Sequence, residues 1–269
     1  MNRCRTMAGL LLAMALAWPL GARGQTLKES EEKARKVLDE VIQAFGGQAY
    51  LSLRDSTCEG RMANYARGDL AGFDYFYYFE KQPDKERIEY GKKRNIIYVN
   101  NGEKGWELDR AGVHDSTPES IARFQEQNRR DLSTILRRRL NEPGMTLRYL
   151  GTEIIDLRPA DIVELTDKDG QVIRLVINQS THLPVLTIYE VSEETTHARA
   201  EETERYGNYQ SLQGIETPFY LARERNQRRI FEVFFTRCQY QTNLLDSLFS
   251  RESLDEVWAK LDKKKKKEK

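Results

Sequence analysis

The chain has 269 residues, with 43 Lys plus Arg against 42 Asp plus Glu, 39% hydrophobic residues and three Cys. This balance suits one ordinary globular domain or two small ones and excludes fibrous, disulfide-dense and disordered classes. The near-zero charge conceals basic ends, with Arg3, Arg5 and Arg23 at the start and Lys263 to Lys267 near the close; the net acidic body between them argues against a broad nucleic-acid surface built on counterion release.

Residues 1–24 read as a signal peptide, with a short basic stretch, an apolar run from Ala8 to Ala17, Trp18-Pro19, and Ala22 and Gly24 at the −3 and −1 places before Gln25. The run is shorter than the ~20 apolar residues of a spanning helix. Cys4 precedes it, so no lipoprotein cysteine follows the cleavage point. The expected product is soluble and periplasmic. Export leaves Cys58 and Cys238 in an oxidising compartment. A structural disulfide between the first and last strands and two buried thiols both fit, because spacing does not show proximity.

Apolar residues at Leu27, Ala34, Leu38, Val41, Ile42 and Phe45, followed by Gly46-Gly47, predict an amphipathic helix with a glycine stop. From Leu53 the period shortens to two, and turn signals recur at Arg67-Gly68-Asp69, Asn101-Gly102, Asp169-Gly170 and Gln213-Gly214. About eleven strands joined mostly by short turns predict an antiparallel meander. One helix interrupts it. Thr117-Pro118-Glu119 is a start signal, and Phe124, Leu132, Ile135, Leu136 and Leu140 follow at helical spacing over 118–140. Arg137-Arg138-Arg139 at its end read as a solvated terminus favoured by the helix dipole. Residues 251–269 read as a short helix and a disordered polylysine tail, outside a domain spanning 25–250.

Several strands are apolar on both faces. Phe73, Tyr75, Tyr77 and Phe79 alternate with Phe76 and Tyr78, and Ile96 to Val99 behave alike. Both faces must then be covered, or one must line a cavity; a filled core and a ligand cavity fit the pattern equally. No nucleophile elbow, phosphate loop or zinc pair occurs, and His114, His182 and His197 lack ligand spacing. The reading is a protein that is not an enzyme and that uses no cofactor or metal.

The order of several short landmarks resembles the LolA/LolB-like outer-membrane lipoprotein-sorting proteins of bacteria. They are Phe45-Gly46-Gly47, Lys81-Gln82-Pro83-Asp84 after an aromatic strand, Asn101-Gly102 leading to Trp106, Asn178 to Thr181 with Leu183-Pro184, Gly214-Ile215 with Pro218-Phe219, and Asn243 to Phe249. The resemblance implies a mainly β (α+β) fold, a half-open antiparallel barrel wrapped around the N-terminal helix and a lid helix, with an apolar cavity for acyl chains. It implies a periplasmic carrier of lipoproteins or lipids for outer-membrane sorting, working as a monomer with lipoprotein acyl chains or phospholipid and with inner- or outer-membrane acceptor proteins, and not with nucleic acid. The alternative is a periplasmic sensor or adaptor that binds a lipid or protein without transporting it. Phe73, Tyr75, Tyr77, Tyr98 and Trp106 on strands and Phe124, Ile135 and Leu136 on the lid are the expected cavity wall. The family's latch arginine falls at Gln82, which has no charge and no guanidinium fork.

Overall fold

The computed structural model describes residues 26–192 and 198–267. The signal peptide expected over residues 1–24 lies outside them.

Helix α1 (Leu27–Phe45) starts with a reciprocal cap: the Glu29 amide donates to Thr26 Oγ1 at 3.2 Å, and the Thr26 amide donates to Glu29 Oε2 at 2.8 Å. Its apolar stripe, Ala34, Val37, Leu38, Val41, Ile42 and Phe45, is buried. The helix stops at Gly46, whose φ of 125° suits only glycine, and a Cβ there would sit 2.4 Å from the Gly214 carbonyl oxygen. That close approach seats the helix end on a hairpin turn. Gly46→Ala is therefore expected to destabilise the protein by about 2–3 kcal/mol, through backbone strain and overpacking together. Urea unfolding checks this, and an unchanged midpoint would contradict it. The four-residue α2 (Gln48–Leu51) follows, stacking Tyr50 on Phe45 with ring centroids 4.7 Å apart.

The sheet has 13 strands in the order β6-β5-β4-β3-β2-β1-β13-β12-β11-β10-β9-β8-β7. From its centre the chain runs outward through β1 (Asp55–Ala66), β2 (Asp69–Lys81), β3 (Lys85–Tyr90), β4 (Ile96–Asn101), β5 (Lys104–Leu108) and β6 (Val113–Asp115). It then crosses to the opposite edge. It returns through β7 (Thr146–Ile155), β8 (Arg158–Thr166), β9 (Val172–Asn178), β10 (Pro184–Ser192), β11 (Arg199–Leu212), β12 (Ile215–Arg225) and β13 (Arg228–Tyr240). Strand β13 pairs antiparallel with β1, so the two runs meet in mid-sheet, while β6 and β7 stay as free edges. The result is the half-open barrel. The strand count exceeds the expected eleven or so; β6, for one, is three residues long, too short to show a period of two. At the meeting seam Cys58 faces Cys238 in register, and the two are joined as a disulfide across 180 residues of sequence.

The crossover is not the continuous helix that its apolar spacing predicts. Helix α3 (Pro118–Arg130) ends at Asp131, whose ψ of 132° is extended. The Asp131 carboxylate accepts from the Thr134 amide at 2.8 Å and caps a new turn, α4 (Leu132–Thr134), which continues as a π-helical turn over Ile135–Arg139. An Asp inside a helical pattern competes for backbone amides and here breaks the helix.

Part of each face of the sheet is covered, by different elements. On the concave face, α1 and α4 pack against β7 to β11, where Leu38, Ile135, Leu136, Val163, Leu165 and Leu175 form the main core. On the convex face of β4 and β5, Ile97, Val99 and Leu108 are buried under Phe249 of a 3-10 turn (Asp246–Phe249) and Leu254 of helix α5 (Arg251–Lys267). Helix α5 runs through the lysine run to Lys267, where a disordered tail was expected; lysine is a good helix former, and the C-terminal end of a helix dipole favours cations. Buried Arg87 binds this C-terminal segment: its Nε donates to Glu89 Oε1 at 2.6 Å, and its Nη1 donates to the Leu248 carbonyl at 3.0 Å and to Ser253 Oγ at 2.8 Å.

Candidate functional site

Between α3 and the concave face of β1, β2, β3, β11, β12 and β13 lies a cavity of about 470 Å³. Its apolar wall includes Met62, Phe76, Tyr78, Ile88, Tyr90, Phe124, Leu221, Phe231, Val233 and Phe235. The rings form a continuous surface, with Phe76 5.9 Å from both Tyr78 and Tyr90 and 6.1 Å from Phe235 between centroids.

The wall uses the opposite register of β2 from the expected one. Phe73, Tyr75 and Tyr77 point away from the cavity. Arg61 lies 4.5 Å from the Phe73 ring and 5.2 Å from that of Tyr75, and Arg94 lies 4.4 Å from Tyr77. Both faces of β2 are aromatic, so its period alone cannot choose between them. The partners carry the missing signal: Tyr77 pairs with Glu59 and Glu89, and Tyr75 pairs with Arg61. Charges beside the odd-numbered aromatics mark the outward face, where cations stack on rings.

Of the other expected wall residues, Phe124 lines the cavity. Tyr98 stands on the same face beside Tyr90, ring centroids 5.9 Å apart, and is 39% exposed. Trp106 pairs with Val99 and packs on the convex cluster under α5. Ile135 and Leu136 are buried in the main core against α1 and the sheet and are not among the cavity's lining residues. They anchor the second half of the crossover, because the break at Asp131 turns that half into the core.

The cavity also has a polar end that the apolar pattern did not predict. Glu80, Glu86 and Asp131 line it together with the Glu204–Arg223 pair. Burial pushes the Glu80 carboxyl up, and pushes those of Glu86 and Asp131 up to about 7. Their hydrogen bonds come from neutral groups. Gln82 Nε2 donates to Glu80 at 2.5 Å, Asn100 Nδ2 donates to Glu86 at 3.1 Å, and the Thr134 amide caps Asp131. Across the cavity Arg223 Nε donates to Glu204 Oε1 at 2.8 Å, and the Tyr206 hydroxyl donates to Glu204 Oε2 at 2.9 Å. Arg130, 6% exposed, is paired with Glu126 and lies 5.2 Å from the Tyr189 ring, while its Nε–H is buried without a partner.

Guanidinium groups do tie the lid to the barrel, but from the lid side. Arg137 donates to the Leu53 carbonyl, and Arg138 donates to the Pro83 carbonyl at 2.8 Å, next to Gln82. Arg139 donates to Asp167 Oδ2 at 2.9 Å and is 3% exposed. Arg138 stays exposed, but Arg137 and Arg139 are no solvated terminus, because the crossover ends against the fold, where a bare carbonyl and the buried Asp167 need donors. Gln82 itself faces Glu80, and its Oε1 is buried without a partner.

No protein-family model matches the sequence, and no curated protein matches it either. Solved structures do share its architecture. A DUF1329 family protein from Desulfovibrio piger superposes with a TM-score of 0.60 at 16% identity, covering 82% of this chain and 98% of that one. A putative outer membrane lipoprotein-sorting protein domain from Vibrio parahaemolyticus gives 0.57 at 12%, covering 83% and 99%. A LolA superfamily protein from Nitrosomonas europaea gives 0.54 at 14%, covering 82% and 99%. The fold is LolA-like. Within this LolA-like fold the cavity lies between the crossover and the concave wall, and no described helix is long and apolar enough to cross a membrane.

Proposed function

We propose that this protein is a periplasmic carrier that takes acyl chains of lipids or lipoproteins into the cavity beneath α3 and conveys them toward the outer membrane. The observation that supports this reading best is the aromatic wall from Phe76 to Phe235 under Phe124, lining a half-open cavity of about 470 Å³, within the range of about 300–1,000 Å³ of ordinary ligand sites. Each buried methylene contributes about 0.8 kcal/mol, so a chain is held without catalytic groups. Two neighbours whose names carry lipoprotein sorting or LolA share the fold, which is in keeping with this use.

The break at Asp131 divides the lid into parts with different duties. Leu132 to Arg139 is anchored by Ile135, Leu136 and the three arginines. Helix α3 covers the cavity with Phe124, Gln127, Asn128 and Arg130; its C-terminal end is tied by Arg129 to Asp167 and Asp169 at 3.0 Å, whereas Gln125, nearer its start, reaches the Gly102 carbonyl at 3.4 Å. Helix α3 is the part that swings, with Asp131 as its hinge. Phe124→Asp places a charge against the aromatic wall and is expected to weaken uptake of a fluorescent fatty-acyl probe by at least about tenfold, with the circular dichroism spectrum preserved. Phe124→Ala is expected to weaken it less. Full uptake by both variants would remove α3 from the site.

A further inference from the structure

We infer that the polar end of the cavity selects amphiphiles whose headgroup carries an ammonium beside an anionic oxygen, as a phosphoethanolamine does. The inference rests on the carrier reading and adds a headgroup to it.

Three carboxyls, Glu80, Glu86 and Asp131, line one end of a cavity whose other surfaces are largely aromatic. Two of them come from neighbouring strands and the third from the hinge of the lid, so closing α3 completes the set. The lysines at the rim do not neutralise them, because Lys81 and Lys85 are engaged by Asp246 at 2.9 and 2.7 Å, while Arg137 favours the charged form of Glu80 through space. A primary ammonium has three donors and no acceptor. It matches carboxylates that otherwise receive only neutral hydrogen bonds, and the unused acceptor Gln82 Oε1 lies beside Glu80.

A second observation points to the other half of the headgroup. Arg130, more than nine-tenths buried, lines the same cavity and keeps its Nε–H without a partner. A buried donor left unpaired is costly, and a phosphate or carboxylate oxygen arriving with the ligand would satisfy it. An orphaned donor on Arg130 and the carboxyls of Glu86 and Asp131, hydrogen-bonded by neutral groups, line one cavity and together call for a zwitterion. A purely anionic headgroup would meet three carboxyls, and a headgroup without an acceptor oxygen would leave the Arg130 Nε–H without a partner.

The test compares three single-chain amphiphiles of equal chain length on the full chain by calorimetry: a phosphoethanolamine, a phosphoglycerol and a plain alkylamine. The phosphoethanolamine is expected to bind about tenfold or more tighter than the phosphoglycerol, the scale of one charge-assisted hydrogen bond in a desolvated site. It is also expected to exceed the alkylamine. In Glu86→Gln/Asp131→Asn the ratio of phosphoethanolamine to phosphoglycerol affinity should fall toward one. Comparable affinity of the wild-type protein for all three would overturn the headgroup assignment while sparing the carrier. Binding of none of them would overturn both.

Discussion

Removing the Cys58–Cys238 disulfide is expected to lower the unfolding free energy by about 3–5 kcal/mol, the largest effect of any change considered. The bridge joins β1 to β13, where the outgoing run of strands meets the returning one, and it closes a loop of 180 residues. A loop that long gains the most from cross-linking in the chain-entropy model, which gives roughly 5 kcal/mol. Backbone pairing across the seam remains when the bridge is lost, with Ser56 to Asn64 still in register against Tyr240 to Phe231. The fold should therefore persist and unfold at lower denaturant. Chemical unfolding of Cys58→Ala/Cys238→Ala beside the oxidised parent measures this. A difference under about 1 kcal/mol would mean that the unfolded chain already holds the two strands together.

The second large effect is a fall in stability as the pH rises from about 5 to 8. Glu86, whose ordinary value is 4.5, and Asp131, whose ordinary value is 3.8, are both pushed up to about 7, chiefly by burial. Glu80, Tyr78 and Glu204 face the pair from β2 and β11, and Asn100 and the Thr134 amide donate to it. The folded protein holds protons that the unfolded chain releases earlier, so this stabilisation is complete below the unfolded values. It is lost as the pH climbs to the folded ones. Glu86 alone contributes about 3 kcal/mol to the loss. Asp131 contributes less, since the residue is exposed to solvent. Carboxyls held below their ordinary values, such as Asp246 at about 2, act only at lower pH and do not mask the trend. Unfolding midpoints at pH 5, 6.5 and 8 should decline for the parent and flatten in Glu86→Gln/Asp131→Asn. A parent whose midpoint rises with pH would contradict the placement of these groups.

Much of the architecture could be read directly from the residues. The Gly46-Gly47 stop ends α1, Asn-Gly and Asp-Gly pairs mark hairpins, and Thr117-Pro118 opens the crossover, because caps and turns depend on a few adjacent residues and their backbone angles. What local order did not reveal is which residues share a surface. Strand β2 is aromatic on both faces, so the choice of Phe76 and Tyr78 over Tyr75 and Tyr77 depends on partners from β1 and β3. The break at Asp131 is an i to i+3 contact that a periodic apolar stripe hides, yet it separates Phe124 at the cavity from Ile135 and Leu136 in the core. Glu80, Glu86, Asp131 and Arg130 look like solvated charges one by one. The half-open barrel brings them together from two strands and a hinge. The N-terminal helix, the start of the crossover and the meander were legible in the residues, since these follow from short-range periodicity and turn chemistry, and the LolA-like outline was implied by the resemblance of a few ordered landmarks. The register facing the cavity, the pairing of Cys58 with Cys238 and the polar end of the site came from the folded chain alone, because each depends on side chains far apart in sequence being brought together by strand pairing.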